Sequence, residues 1–192
     1  MDYVSIIISI FLGVGLSAAA GFRVFLPLLV LSLAGYFDII PLNESWEWAG
    51  SVTAVIVMGV ATIFEIFGYY IPWVDNALDS IAIPLATVAG TLIMVATVAD
   101  LSPVVTWALA IIAGGGTATA IKGSASALRL TSTATTGGLG NPVVSTLETG
   151  TAVIMSAASI FIPVLSFLFV LAIFFGMYKF YKKLRKKSAT QA

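Results

Sequence analysis

The chain has 192 residues, of which 59% are hydrophobic and 9% are charged, and its nine basic and nine acidic residues cancel. Soluble domains carry about a quarter of charged residues, so this composition predicts an integral membrane protein. Cysteine and histidine are both absent, which excludes disulfides, thiolate metal sites and catalysis by a Cys or His base. The apolar runs are continuous and not alternating, which favours an all-α bundle over a transmembrane β-barrel.

The first apolar run contains a single charge, because Arg23 is the only charged residue between Asp2 and Asp38. As one straight helix, this run would extend about 52 Å at about 1.5 Å per residue, whereas the hydrocarbon core is about 30 Å thick. Gly21 and Pro27 offer a place to break the helix. We therefore predict a broken helix, with the Arg23 guanidinium facing protein, water or an anion and not lipid.

Four further spans follow along the chain. A loop at residues 36–51 precedes a second span at residues 51–71, and the polar joint IPWVDNALDS precedes a third span at residues 81–99. A fourth span begins near Pro103, and the last covers residues 151–178 with Pro163 inside it. We predict a bundle of about five transmembrane helices, or six if the break at Arg23 turns the first run into a hairpin.

The basic residues are concentrated at the end of the chain, since six of the nine lie in the stretch KFYKKLRKK. We predict one transmembrane domain at residues 1–178 and a basic tail at residues 179–192. By the positive-inside rule the tail is cytoplasmic, so five spans would place the N-terminus outside and six spans would place both ends inside. Such a tail is also compatible with binding to anionic lipid head groups.

Two segments resemble each other within the chain, GVGLSAAAGFR at residues 13–23 and GGGTATAIKGS at residues 114–124. Each begins with Gly-x-Gly, continues with small residues and has a cation near its end. Three crossings would separate them, so they would run in opposite directions and form an inverted repeat, which is common in transporters. The alternative is that any two small-residue membrane helices look alike over so short a stretch.

Charged residues inside apolar spans are the first candidates for a functional site. Arg23, Glu65 and Lys122 are of this kind, and such residues are usually paired or face water or a ligand. A pair between Arg23 and Glu65 that only fixes helix packing is one alternative. The other is a binding site, because an arginine beside a helix break suits a carboxylate or a phosphate.

Asp75 and Asp79 are four residues apart, so a helix would place them on one face. Carboxylate oxygens suit a hard cation, which makes this pair a candidate metal site, with Glu65 able to approach. The alternative is an interfacial helix with acidic residues at its start, where they are favourable.

Residues 114–149 are rich in Gly, Ser, Thr and Ala. We expect irregular backbone here to line a polar cavity, and the alternatives are an exposed loop or a close-packed interface of small residues. Together with one charged residue from each of the first two spans, this stretch defines the predicted substrate-binding residues, which are Arg23, Glu65, Lys122, Arg129, Thr135, Thr136, Asn141 and Glu148.

Three stretches, GLSAAAGFRVFLPLL, FEIFGYYIPWVDNALD and GGGTATAIKGSASALRLTSTATTGGLGNPVVSTLE, resemble a family of small bacterial membrane proteins classed as domain of unknown function 4126. The resemblance covers nearly the whole chain. It implies a bacterial inner-membrane location and a shared functional core, with no established activity. Glu65, Pro72, Asp75 and Asp79 match the second motif of the family, whereas GYY replaces a charged pair of that motif.

The sequence thus predicts a small transporter or channel for an ion or a small polar or anionic solute, with its site at broken helices near mid-membrane. The alternative is a non-transporting membrane scaffold or lipid-binding subunit. We expect a homo-oligomer with membrane lipids and the solute as partners, and no nucleic acid or cofactor. No enzymatic activity is expected, because the sequence has no recognisable arrangement of nucleophile and base.

Overall fold

The computed structural model describes residues 3–98 and 101–189, and the regular elements in that part of the chain are helical. A 3-10 helix at Glu44–Gly50 precedes α3, and a π-helical turn at Ala110–Gly115 joins α5 to α6. The α-helices are α1 (Tyr3–Phe22), α2 (Phe25–Tyr36), α3 (Val52–Gly68), α4 (Pro72–Thr97), α5 (Pro103–Leu109), α6 (Gly116–Thr136), α7 (Asn141–Phe161) and α8 (Pro163–Ala189).

Within the described residues, four helices are long and apolar enough to cross a membrane, namely Tyr3–Phe22, Trp73–Thr97, Pro103–Thr136 and Asn141–Phe161. The 3-10 helix and α3 are bent by 62° and make a fifth span if the pair is counted as one. Two shorter apolar helices, α2 and the first part of α8, accompany them. The predicted all-α membrane bundle of about five transmembrane helices is confirmed.

The predicted break at Arg23 is present, since α1 ends at Phe22 and α2 begins at Phe25. The chain reverses there. Gly13 on α1 is so close to Thr97 that an added Cβ would lie 2.7 Å from its hydroxyl oxygen, and Asn43, after α2, donates its backbone N–H to Ala96 at 2.9 Å. The middle of α1 and the segment that follows α2 therefore both lie against the last turn of α4, so the chain reverses between them and the first run forms a hairpin.

The third span begins earlier in the chain than predicted. α4 begins at Pro72, so the polar joint forms the first turns of that helix, with proline at a favourable first position.

Residues 114–149 form a helical hairpin of α6 and α7 in place of irregular backbone. Their threonine hydroxyls mostly donate to carbonyls of their own helix, such as Thr135 to Thr131 at 2.8 Å, which makes a polar composition compatible with a helix.

The turn between α6 and α7 contains two glycines with left-handed backbone, Gly137 with a φ of 63° and Gly138 with a φ of 89°. Residues with side chains rarely adopt this conformation, which explains the GG pair at the tip of the hairpin.

The last predicted span is divided between two helices, because α7 ends at Phe161 and α8 begins at Pro163. Gly15 lies against both Ser159 and Ser166, so α7 and α8 are antiparallel and Pro163 marks a reversal. α8 continues as a helix through residue 178, and the predicted domain boundary stays a prediction. The side chains of Arg185, Lys186 and Lys187 in the predicted basic tail, and residues 190–192, lie outside the described part.

The helix directions follow from contacts with α4. Ser17 donates to the carbonyl of Gly90 at 2.9 Å and Gly13 lies near Thr97, so α1 is antiparallel to α4. Gly114 lies against Gly90 and the hydroxyls of Thr119 and Thr87 are 2.6 Å apart, so α6 is antiparallel to α4 as well. The two similar segments therefore run in the same direction, which is not the relation that an inverted repeat requires. The hairpin at Arg23 adds the reversal of chain direction that changes their relative direction.

α1 and α8 also run in the same direction. The rings of Phe11 and Phe167 stack at 4.2 Å, and Phe22 and Met177 line one cavity further along both helices. The start of α1 and the end of α8 therefore lie at opposite ends of the bundle, and the α6–α7 turn lies at the same end as the C-terminus of α8.

Small residues bring α4 and α6 into close contact. A Cβ added to Gly90 would lie 2.7 Å from the carbonyl oxygen of Gly114 and 2.6 Å from the Cβ of Ala118. Helices in membranes associate through such close packing of small residues, because lipid supplies no hydrophobic driving force between them.

Gly90→Ala is expected to destabilise the protein by about 1–3 kcal/mol, because the new methyl group overlaps the Gly114 carbonyl of the π-helical turn and the Ala118 side chain of α6. Gly123→Ala is the matched control: Gly123 is a helical glycine with open space around it, and alanine favours a helix by up to about 1 kcal/mol over glycine. The measurement is the temperature at which purified protein in detergent loses its monodisperse elution peak. Equal stability of the two variants would contradict the close α4–α6 contact.

Candidate functional site: a buried charge cluster around Tyr69

The charged side chains of the interior meet at Tyr69, which follows the last turn of α3 and is 3% exposed. The guanidinium carbons of Arg23 and Arg129 each lie 4.2 Å from the centroid of its ring, and the ammonium group of Lys122 lies 5.3 Å from it. Cations are attracted to aromatic faces at such distances. We name the group the charge cluster, and its members are Arg23, Glu65, Tyr69, Asp75, Asp79, Lys122, Arg129 and Glu148.

Arg23 is fully buried, and the break after α1 directs its side chain to α7. Its Nε donates to the hydroxyl of Thr149 at 2.9 Å, and its Nη2 donates to the carbonyl of Ser145 at 2.9 Å and to the Ser145 hydroxyl. Its Nη1 is buried without a hydrogen-bond partner among the described residues. No carboxylate of the described chain lies within 4.0 Å of this guanidinium, so its contacts are with neutral oxygens.

Glu65 stabilises the break. Its carboxylate accepts the backbone N–H groups of Val24 at 2.7 Å and Phe25 at 2.9 Å, at the start of α2. The first N–H groups of a helix have no partner within it, and its N-terminus carries partial positive charge, so a carboxylate is favourable there. Glu65 therefore caps α2 from α3, and the alternative of a direct Arg23–Glu65 ion pair is not observed.

Arg129 is held by carboxylates from two other helices. Its Nη1 donates to Asp75 of α4 at 2.6 Å, its Nε donates to Glu148 of α7 at 3.0 Å, and its Nη2 also donates to Glu148. All three side chains are buried. Such charge-assisted, bidentate contacts fix α4, α6 and α7 relative to one another.

Asp75 and Asp79 lie on one face of α4, as predicted. The positively charged group that both carboxylates approach is the guanidinium of Arg129. Asp79 lies 4.0 Å from it, and the other carboxylate oxygen of Asp79 is buried without a hydrogen-bond partner in the described part. Among the described residues, no group of three or more Asp, Glu, His or Cys could hold a metal ion. A metal role for Asp75 and Asp79 stays a prediction.

Lys122 is also fully buried. Its Nζ donates to the hydroxyl of Tyr69 at 3.3 Å, and no described carboxylate lies within 4.0 Å of it. Lys122, Ser126, Arg129 and Thr133 follow the spacing of one helix face. This face of α6 leads from the cluster towards the α6–α7 turn.

The remaining predicted site residues lie nearer that turn. Asn141 donates to Asp75 at 3.4 Å and to Thr133 at 3.1 Å, so it belongs to the edge of the cluster. Thr135 and Thr136 are exposed and their hydroxyls donate to carbonyls of α6, so the structure does not bring them to the cluster.

Sequence reasoning did not single out Tyr69, Ser145 or Thr149. Ser145 and Thr149 are four positions apart on α7, on either side of Glu148 in the sequence. This spacing places both hydroxyls on one helix face, and it is the signal that could have identified them. The position of Tyr69 gives no comparable signal, because its contacts come from Arg23 at the helix break and from Lys122 and Arg129 of α6.

Two cavities, each of about 260 Å³, flank the cluster. The loop-side cavity, near the α6–α7 turn, is lined by Tyr69, Tyr70, Asp75, Asn76, Thr133 and Asn141 among others. The lateral cavity, between α6, α7 and α8, is lined mainly by apolar side chains, with Glu148 among them. Arg129 links the two cavities' linings, because it binds Asp75, which lines the loop-side cavity, and Glu148, which lines the lateral cavity.

The fold and the site define an all-α membrane protein that encloses a cluster of charged side chains at a helix break. Residues 10–183 match the family described as Domain of unknown function (DUF4126). The chain belongs to that family, and the resemblance inferred from its motifs is confirmed. No curated protein and no solved structure matches the chain.

Glu65→Ala is expected to destabilise the protein by about 1–3 kcal/mol, because it leaves two buried N–H groups of α2 without an acceptor. Glu65→Gln keeps one acceptor oxygen and is expected to cost less. Glu47→Ala, at an exposed position of the 3-10 helix, is the control. Thermal denaturation in detergent ranks the variants, and a stable Glu65→Ala protein would show that α2 does not depend on this cap.

Proposed function

We propose that this protein is a small membrane transporter or channel for an ion or a small polar or anionic solute, with the charge cluster as its site. The observation that supports this most is a set of buried charged side chains at a helix break between two cavities of similar volume. Charged side chains inside a membrane protein are costly and mark solute pathways more often than packing positions.

The position of Arg129 suggests how a solute would pass. Its ion pairs connect Asp75, at the loop-side cavity, with Glu148, at the lateral cavity, and we take them as the barrier between the two. A change of partners at this guanidinium would connect them. Broken helices at such sites are a common feature of secondary transporters, since their free backbone groups can bind solute.

The proposed location is the bacterial inner membrane, with the C-terminus cytoplasmic. The concentration of basic residues in the tail supports this orientation. Because the α6–α7 turn lies at the same end of the bundle as the tail, the loop-side cavity would open towards the cytoplasm. We propose membrane lipids and further copies of the chain as partners, and no enzymatic activity.

A second function, binding of lipid without transport, is favoured by the lateral cavity. Its walls include Phe22, Leu128, Ile173 and Met177, and its polar lining includes Glu148. An acyl chain matches such apolar walls, while a head group would lie towards the cluster.

Arg23→Gln is expected to lower solute flux at least about tenfold, because it removes the charge and part of the hydrogen bonding of the proposed site. The measurement is flux through proteoliposomes that contain purified protein, across inorganic cations, inorganic anions and small organic acids. Lys182→Gln is the matched control, since Lys182 is exposed on α8, and it is expected to behave like the wild type.

Two results would count against the proposal. Folded wild-type protein without flux of any solute would reject transport and favour lipid binding. Flux that is equal in wild type and Arg23→Gln would place the pathway away from the charge cluster.

A further inference from the structure

We infer that Arg23 and Lys122 together form a binding site for a small oxyanion, a carboxylate or a phosphate, beside the ring of Tyr69. The inference rests on the proposed function for the location of the site and adds the chemical class of its ligand. It follows from the hydrogen-bond donors, the charges and the cavities around these two side chains.

The first argument is the number of donors without acceptors. A guanidinium has five N–H groups and an ammonium group has three. In Arg23, Nε and Nη2 donate to Thr149 and Ser145, which leaves both N–H groups of Nη1 without a partner in the described chain. In Lys122, one donor contacts the Tyr69 hydroxyl. Buried donors left in this state are costly, so a ligand with several acceptor oxygens is favourable here.

The second argument is charge. None of the four carboxylates of the charge cluster forms an ion pair with Arg23 or Lys122: Asp75 and Glu148 bind Arg129, Asp79 lies 4.0 Å from Arg129, and Glu65 caps α2. Arg23 and Lys122 are both fully buried, and neither has a described carboxylate within 4.0 Å. Water can accept their hydrogen bonds but does not neutralise their charges, whereas an anion does both.

The third argument concerns the shape of the ligand. The two N–H groups of Arg23 Nη1 can donate to the oxygens of a carboxylate or phosphate, and the Lys122 ammonium group adds a point charge with further donors. This geometry favours an oxyanion over a spherical halide.

Two sources of the oxyanion are consistent with the cavities. The lateral cavity is lined by Phe22 and Ile121, the sequence neighbours of the two cations, and by Glu148 of the charge cluster, so a lipid in that cavity would have its head group beside the cluster. Tyr69 lines the loop-side cavity, from which a free solute would approach. Both sources present the same oxyanion to the two cations, so an experiment is needed to decide between them.

The test is isothermal titration calorimetry of the full-length protein in detergent with three probes: inorganic phosphate, acetate and dihexanoyl phosphatidic acid. The wild type is expected to bind at least one probe saturably. Arg23→Gln and Lys122→Gln are each expected to weaken that binding at least about tenfold, which corresponds to the loss of one charge-assisted contact. Lys182→Gln is the matched control and is expected to bind like the wild type.

Conservative variants separate binding from folding. Arg23→Lys and Lys122→Arg keep the charges, and they are expected to retain measurable binding when elution profiles and helical circular dichroism match those of the wild type. Binding of phosphate or acetate supports the site with a free solute as its source. Binding of the phosphatidic acid alone supports it with a lipid as its source.

The inference is overturned if no probe binds to folded wild type, or if folded Arg23→Gln and Lys122→Gln bind like the wild type. Its failure is distinct from that of the proposed function. Oxyanion binding without flux in proteoliposomes would uphold this site and reject transport, and flux of cations without oxyanion binding would do the reverse.

Discussion

The contact between the Glu65 carboxylate and the first N–H groups of α2 makes the break in the first apolar run stable. Without an acceptor, the N-terminus of a helix inside the bundle would leave polar backbone groups unsatisfied. Because α3 supplies that acceptor, the chain can reverse at Arg23. The reversal frees the Arg23 side chain to reach α7 and brings Tyr69, one turn after Glu65, against it.

The charge cluster contains cations in two different situations. Arg129 is surrounded by carboxylates of α4 and α7 and holds these helices together, and removing one partner of such a buried pair costs about 3–5 kcal/mol. Arg23 and Lys122 contact neutral oxygens and an aromatic ring instead. An arrangement that served packing alone would place a carboxylate in direct contact with each of these cations as well, so the lack of such an ion pair connects the energetics of the fold with binding of an anion.

The glycine-rich helices and the cluster depend on each other. Close contact of α4 with α1 and α6, through Gly90 and its neighbours, sets the distance between helix axes in the apolar half of the bundle. Long side chains then fill the other half, where α6 carries Lys122 and Arg129 on one face. The small residues and the long charged residues therefore occupy different parts of the bundle, and the two cavities lie beside the charged residues.

The sequence by itself determined the membrane environment, the all-α class, the family and the position of the break, because these follow from composition, run length and local motifs such as Gly21 and Pro27 around Arg23. It also singled out the buried cations, since a charge in an apolar run is conspicuous. Only the tertiary structure decided their partners: Tyr69 carries no local signal, and Thr135 and Thr136 form ordinary helix in which their hydroxyls are already bonded. The relative direction of the two similar segments also required the fold, because it depends on whether the chain reverses at Arg23, and that reversal depends on a carboxylate from a helix distant in sequence.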